Sequence, residues 1–283
     1  MENRVQGIQV YAAMASGALL FPIADALAKV LGEGLPILQI VWARYLVQVL
    51  ILLPITISGD RKENWSHQDY RYIIMQSITL LGAAALYYSA LRFISLATAS
   101  VFSFLSPLFV VVMARAILKE HTSAKQWVAV SAGLLGAIII ANPSSGDTNM
   151  MGFALATASG FCNALYLILV SRSPNSRSPL VNAVASGAGV TFCLSAIVPF
   201  LWTTPTPAQY VLLLAAGASG AFAQAFVTFA YQNALASRIA PLAFLELIAA
   251  AVISSLVFKQ FPTLGQMVGA AAIVCGVALT AIR

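Results

Sequence analysis

Long apolar runs and short polar breaks follow one another along the whole chain. The runs cover residues 8–31, 35–58, 69–91, 97–118, 124–141, 150–171, 179–202, 208–235, 240–258 and 263–282. Each approaches the ~20 residues that a helix needs to cross the hydrocarbon core of a bilayer. The breaks are built from turn residues, as in Ser58-Gly59-Asp60-Arg61-Lys62-Glu63-Asn64, Asn142-Pro143-Ser144-Ser145-Gly146-Asp147 and Thr203-Thr204-Pro205-Thr206-Pro207. A lone segment in lipid must satisfy its own backbone hydrogen bonds, so every run predicts a helix. The expected fold class is an all-α integral membrane protein with ten transmembrane helices.

Composition agrees. Of 283 residues, 60% are hydrophobic and 8% are charged, against about 25% charged in a typical soluble domain. Ten spans use roughly 200 positions, which leaves loops and no room for an ATPase or receptor module. The net charge of +6 comes from basic residues at the ends of runs. That pattern points to the membrane surface and not to nucleic acid. Cys162, Cys193 and Cys275 are scattered through apolar runs, and His67 and His121 stand alone. No disulfide framework, metal site or cofactor is expected. The first run, with Arg4 before it and Ala24-Asp25-Ala26 within it, has the outline of a signal peptide. It is expected to stay, because its loss would leave nine spans and break the repeat described next.

The chain repeats itself at a shift of about 140 residues, or five spans. Ala13-Met14-Ala15-Ser16-Gly17 is echoed by Ala156-Thr157-Ala158-Ser159-Gly160, Tyr87-Tyr88-Ser89-Ala90-Leu91 by Tyr231-Gln232-Asn233-Ala234-Leu235, Phe104-Leu105 by Phe244-Leu245, and Gly136 by Gly276. An odd number of spans per half inserts the second half upside down, as in many secondary transporters. The expected organisation is two inverted five-helix repeats, residues 1–145 and 146–283. Placing the N-terminus in the cytoplasm puts eleven basic residues near the inner face: Arg4, Arg61, Lys62, Arg71, Arg115, Lys119, Lys125, Arg172, Arg177, Arg238 and Arg283. It leaves three, Lys29, Arg92 and Lys259, near the outer face. Both termini are therefore expected inside.

Ala90-Leu91, Ala97-Thr98-Ala99-Ser100, Leu105-Ser106-Pro107-Leu108-Phe109, Lys119-Glu120, Gln126-Trp127 and Gly133 resemble the EamA-type repeat of the drug/metabolite transporter superfamily. Within it the chain is most similar to the YddG-type exporters of amino acids. The second half departs from the pattern: Glu246 and Leu247 replace the serine and proline, and Gln260 stands where the acidic residue should be. The resemblance implies a multi-pass bacterial inner-membrane protein, monomer or weak homodimer. It would export amino acids and related small metabolites by alternating access. Exporters of drugs or nucleotide-sugar-like metabolites and a proton-coupled antiporter are the alternatives. Phosphate-bearing cargo would need several basic residues in the cavity, and only Arg44 is available. An enzyme is not expected, since no paired carboxylates, His–Asp pair or metal cluster is visible. A channel would show a ring of like polar groups.

Charges deep in lipid are costly and mark candidate sites. At about 1.5 Å per residue, Asp25 lies roughly 9 Å and Arg44 roughly 13 Å below the outer face, on consecutive antiparallel helices. Arg44 either binds a substrate carboxylate or gates the outer mouth; the bland alternative is a structural Asp25–Arg44 or Asp25–Lys29 pair. Glu246 lies roughly 10 Å above the inner face with no sequence-adjacent cation. It is either a substrate-amine or proton-coupling group, or a neutral acid bonded to a neighbouring helix. Gln76, Asn163, Tyr166 and Gln224 are the uncharged polar residues expected to line a cavity, and Trp42 and Tyr45 flank Arg44. Trp65, Trp127 and Trp202 are expected as interfacial anchors. Pro22 and Pro107 fall inside their runs and remove backbone donors to Ala18 and Ser103, which predicts static kinks or moving hinges. Glu120 is expected to be structural, balancing Lys119 or Lys125 and facing a helix N-terminus. Gly133, Gly136, Gly269 and Gly276 predict tight packing of the fifth and tenth helices.

Overall fold

The computed structural model describes residues 2–57, 67–94, 96–141, 149–173, 178–258 and 264–281, and all regular structure among them is helical. The loop 58–64, Trp65, the turn 142–147, Lys259 and Gln260 lie outside the described residues. The helices are α1 (Glu2–Leu31), α2 (Ile37–Ile57), α3 (His67–Ala90), α4 (Leu96–Ser103), α5 (Ser106–Ala116), α6 (Ala124–Ala141), α7 (Met150–Ser171), α8 (Pro179–Ser195), α9 (Pro207–Asn233), α10 (Ala236–Ile239), α11 (Leu245–Phe258) and α12 (Leu264–Ala281). Two short 3-10 turns, Val198–Leu201 and Ala240–Phe244, complete them. Seven segments are long and apolar enough to cross a membrane, and three apolar helices, Ala124–Ile139, Pro179–Ser195 and Met267–Ala278, are shorter. This is a multi-pass helical membrane protein.

Local chemistry sets the helix starts. Thr206 and Gln209 form a reciprocal cap on α9, Gln209 N–H to Thr206 Oγ1 at 3.3 Å and Thr206 N–H to Gln209 Oε1 at 2.8 Å, with Pro207 in the first turn. Asn149 accepts from the Met151 and Gly152 N–H groups and starts α7. The seventh run, expected to reach residue 202, stops being α-helical at Ser195. Pro199 cannot donate to the ladder and turns the chain into the 3-10 segment.

The fourth and ninth runs differ most from expectation. Each was expected as one helix; the fourth is broken inside the run, and the ninth opens on a 3-10 stretch at the start of residues 240–258. In the fourth, α4 ends at Ser103 and α5 begins at Ser106. Pro107 sits in the first turn of α5, where a missing N–H is harmless, and not inside a continuous helix. The Ser103 carbonyl left without its donor is covered by α7: a Cβ placed on Gly160 would come 2.7 Å from that oxygen. Asn163, one turn further along α7, donates from Nδ2 to Ser106 Oγ at 3.1 Å. The ninth run passes from α10 through the 3-10 stretch containing Pro241 into α11. Phe244 of that stretch packs on Gly133 of α6, where a Cβ has no room. Phe104 and Phe244, one from each break, stack with ring centroids 6.2 Å apart.

Side-chain ties join the two halves at both ends of the bundle. At one end Gln39 Nε2 donates to the Thr203 carbonyl at 2.7 Å, and the Thr203 N–H returns to Gln39 Oε1 at 3.0 Å. At the other, the Glu120 carboxylate accepts from Ala236 N–H at 3.0 Å, Ser237 N–H at 3.0 Å and Ser237 Oγ at 2.6 Å. Glu120 thus faces a helix N-terminus from the other half of the chain. Lys119 adopts φ of 56° just before it, a left-handed conformation that costs a lysine about 1–2 kcal/mol. The α6–α12 crossing is as tight as its glycines predict, with a Cβ on Gly136 falling 2.6 Å from the Gly269 carbonyl and one on Gly276 falling 2.9 Å from that of Ala129.

Two substitutions at this tie should act in opposite directions. Glu120→Ala should lower stability by about 2–4 kcal/mol, since it strands donors that are largely covered. Lys119→Gly should raise it by up to about 1 kcal/mol, because glycine takes positive φ freely. Thermal unfolding of the purified protein in detergent measures both; an unchanged Glu120→Ala variant would show that the tie carries no weight.

Candidate functional site

Three of the deep charges meet. Arg44 of α2 reaches Asp25 of α1, with Nη1 and Oδ1 3.3 Å apart. Glu246, at the start of α11, is within electrostatic reach of both. The depth expected for Glu246 assumed a continuous ninth helix starting near Ala240. The span instead takes in Ala236–Ile253, which sets Glu246 about mid-way along it. Asp25 keeps 58% of its side chain exposed and Arg44 19%, so open space adjoins the pair although both belong to apolar helices.

The guanidinium is held on several sides. It lies over the rings of Phe21 at 5.5 Å and Tyr45 at 5.9 Å, a favourable arrangement for a cation. Phe21 is one helical turn before Asp25 and so shares its face of α1. From α9, Gly220 forms the floor: a Cβ there would come 2.9 Å from Arg44 Nε. Gly217, one turn earlier on α9, lets Val47 of α2 approach equally closely. The hydroxyl of Tyr88, on α3, is in electrostatic reach of Arg44 and Asp25. Tyr87 packs edge-to-face on Tyr88 at 5.7 Å and shares a 3.0 Å hydrogen bond with Ser100. Glu246 has no hydrogen-bond or ion-pair partner among the described residues.

The remaining predicted residues are placed differently. Gln76 is fully buried and donates to the Leu169 carbonyl at 3.3 Å, joining α3 to α7. Gln224 donates to the Tyr166 hydroxyl at 2.6 Å, joining α9 to α7. Asn163 holds the break before α5. Trp42 is two residues from Arg44 and therefore on the far side of α2. Its Nε1 donates to Ser195 Oγ at 2.9 Å, and its ring meets Trp202 edge-on at 6.0 Å. Pro22 lies inside α1, which continues unbroken through it. Sequence reasoning passed over Phe21 and Gly220. The i, i+4 relation of Phe21 to Asp25 and the Gly217-x-x-Gly220 spacing are the signals that could have found them.

The helices around the charges are not evenly packed. α9 packs directly on α7 and α8, whereas α3 makes no comparable contact with α1 or α2 among the described residues. The space next to Asp25, Arg44 and Tyr88 lies where α3 stands off. A charged, aromatic-walled opening within apolar helices can take up a polar solute and shield it from lipid.

The sequence model of the EamA-like transporter family matches this chain twice, over residues 9–142 and 150–282. The chain belongs to that family. It is 25% identical to an S-adenosylmethionine uptake transporter of Rickettsia prowazekii over 253 residues, covering 89% of this chain and 85% of the relative. It is 26% identical to a riboflavin transporter of Vibrio cholerae over 276 residues, covering 94% and 90%. A protein of known crystal structure, 18% identical, shares the fold with a TM-score of 0.77 over 94% of both chains. The family and these relatives identify a transporter of small metabolites and not an enzyme.

The Asp25–Arg44 pair should behave as a unit. Arg44→Ala and Asp25→Asn should each destabilise the protein by about 1–3 kcal/mol, and the double variant should lose less than their sum. Unfolding of the four proteins of this cycle in detergent gives the coupling; strict additivity would mean that the pair is not an energetic contact.

Proposed function

We propose that this EamA-family transporter is a secondary carrier of amino-acid-like metabolites in the bacterial inner membrane, working by alternating access between two five-helix halves of opposite orientation. The observation that carries this reading is the Asp25–Arg44–Glu246 group, set deep in apolar helices beside an opening on one side of the bundle. Arg44, Tyr45 and Glu246 are the groups that meet the solute. Gln76, Asn163, Tyr166 and Gln224 hold the walls around it, and Trp42 braces α2 against α8. Pro22 and the Pro107 break are the points where the helices flex.

The pattern of contacts supports the two inverted halves. Exchange of α1 with α7, α2 with α8, α3 with α9 and α5 with α11 turns α1–α9 packing into α7–α3, α2–α9 into α8–α3, and α1–α11 into α7–α5, and all six contacts are present. Equivalent elements also meet each other, as α2 with α8, α6 with α12, and Phe104 with Phe244. Such self-contacts are what an axis between the halves would produce. The uneven packing of α3 and α9 is what one access state of such a carrier would have, open on one side only. The count of basic residues favours both termini in the cytoplasm.

Export is the direction implied by the likeness to amino-acid exporters. Uptake is the second reading, favoured by the relatives named as S-adenosylmethionine uptake transporters. The bundle itself is indifferent to direction, since a secondary carrier runs down whichever gradient it is given. Reconstituted protein in liposomes loaded with labelled amino acids should give saturable flux, and Arg44→Ala should reduce it at least about tenfold. Absence of flux for every amino acid and for S-adenosylmethionine would sink the reading. Reporter tags on the two termini should both read cytoplasmic.

A further inference from the structure

Resting on the transporter reading above, we infer that Glu246 is the residue that recognises the cargo, and that the cargo is an organic cation, carrying an ammonium or sulfonium beyond whatever charge its carboxylate balances. Arg44 is the natural first choice as the recognising group, and the structure argues against it. Its charge is already answered by Asp25 at 3.3 Å, and its guanidinium rests on the rings of Phe21 and Tyr45. Gly220 closes off the Nε side. An anion binding at that nitrogen would compete with a carboxylate that is already in place.

Glu246 is in the opposite position. It has two charged neighbours in range, Asp25 and Arg44, and the one cation of that pair is taken. Two carboxylates face one guanidinium, so the group lacks a positive charge. Among the described residues Arg44 is the cation in electrostatic reach of Glu246, and no ion pair joins the two; Leu245, Leu247 and Ile248 around the acid are packed on the apolar core. A carboxylate in such surroundings is costly to leave unpaired. The missing partner has to come from outside the protein.

The walls say what kind of cation fits. The edge-to-face pair Tyr87–Tyr88 stands near the charged pair, whereas Phe21 and the buried Tyr45 lie against the guanidinium. Aromatic faces attract ammonium and sulfonium groups and accept their apolar substituents. A bare metal ion would instead need several oxygen ligands, and no group of three metal-ligating side chains exists among the described residues. The repeat adds a further point. Glu246 occupies the place held by Ser106 in the first half, and Ser106 is bonded to Asn163. The second half has replaced a satisfied hydroxyl by an unsatisfied acid at the one equivalent position that faces the charged pair.

The test compares matched compounds. Wild-type protein, Glu246→Gln and Glu246→Asp are each reconstituted and assayed by counterflow with lysine, ornithine and S-adenosylmethionine as cations, leucine and phenylalanine as zwitterions, and glutamate as an anion. Ligand-induced thermal shifts in detergent follow the same panel. The wild type should favour the cations by at least about tenfold. Glu246→Gln should lose that preference with its unliganded melting temperature no lower than that of the wild type, and Glu246→Asp should keep part of it. Equal handling of cations and zwitterions by the wild type overturns the inference and leaves the transporter reading intact. So does a preference that survives in Glu246→Gln, which would make the acid a proton-coupling or structural group. If Glu246→Gln fails to fold, the wild-type panel alone decides. Failure of every compound to bind or move removes both the inference and the transporter reading.

Discussion

A carbonyl without a donor cannot be left facing lipid, and that constraint organises this bundle. Two of the long apolar runs are not continuous helices, so the backbone groups they free must be covered by protein. The first break is covered by one face of α7, where Ala156, Gly160 and Asn163 follow at helical spacing and touch Ser103, its carbonyl and Ser106. The second is covered by α6 at Gly133 and by the stacked ring of Phe104. These two breaks are placed in the interior, against small residues. Interior breaks also end hydrophobic continuity in the middle of the bundle, and it is there, at the start of α11, that Glu246 stands.

The charges obey the same logic as the backbone. Most polar groups inside the bundle find a partner or adjoin open space, while the buried Asn182 amide and Tyr231 hydroxyl have no hydrogen-bond partner among the described residues. Gln76, Tyr166, Gln224 and Asn163 take the first course and tie helices together. Arg44 and Asp25 take both, bonded to each other and partly exposed. The glycines on α9 matter because they set how close α2 can come: Gly217 admits Val47 and Gly220 admits the Arg44 side chain. Position and packing are thus one property here. A methyl group added at Gly220 would move a charge, and not merely crowd a core.

Much of the architecture is legible in the hydrophobic pattern, because lipid imposes one period and one length on every span. The helical class, the run boundaries to within a few residues and the tight α6–α12 crossing follow from it. The breaks were harder to see. Pro107 was visible, but a proline inside an apolar run reads equally as a kink or as the first turn of a new helix, and only the neighbour that covers Ser103 distinguishes them. Pro241 marks the second break, yet it falls at the edge of the run 240–258 and was absorbed into its start. A span that begins at Ala236 carries Glu246 deeper than a run beginning at Ala240 does, and the acid is in electrostatic reach of Arg44 and Asp25. Which face a residue presents within a buried helix is also weakly encoded when both faces are apolar. Trp42 and Tyr45 bracket Arg44 in sequence, but a helical turn of 100° per residue sends Trp42 to Ser195 and Trp202, leaving Tyr45 under the guanidinium.

The departure of the second half from the repeat pattern then acquires a physical meaning. On the reading with two repeated halves, equivalent residues are needed only where the halves meet, as at Phe104 and Phe244 or along the α6–α12 crossing that Gly136 and Gly276 line. Away from those contacts the constraint relaxes, and the halves can specialise. Serine at position 106 is satisfied by Asn163 and serves the break beside it. At the equivalent point the chain has Glu246, which serves no break and has no partner, but looks across the opening at a charged pair contributed wholly by the first half. Asymmetry placed at that point spares the contacts between the halves, and its cost is the unpaired carboxylate itself. It is also effective for recognition, since a single side chain there alters the charge of the whole site.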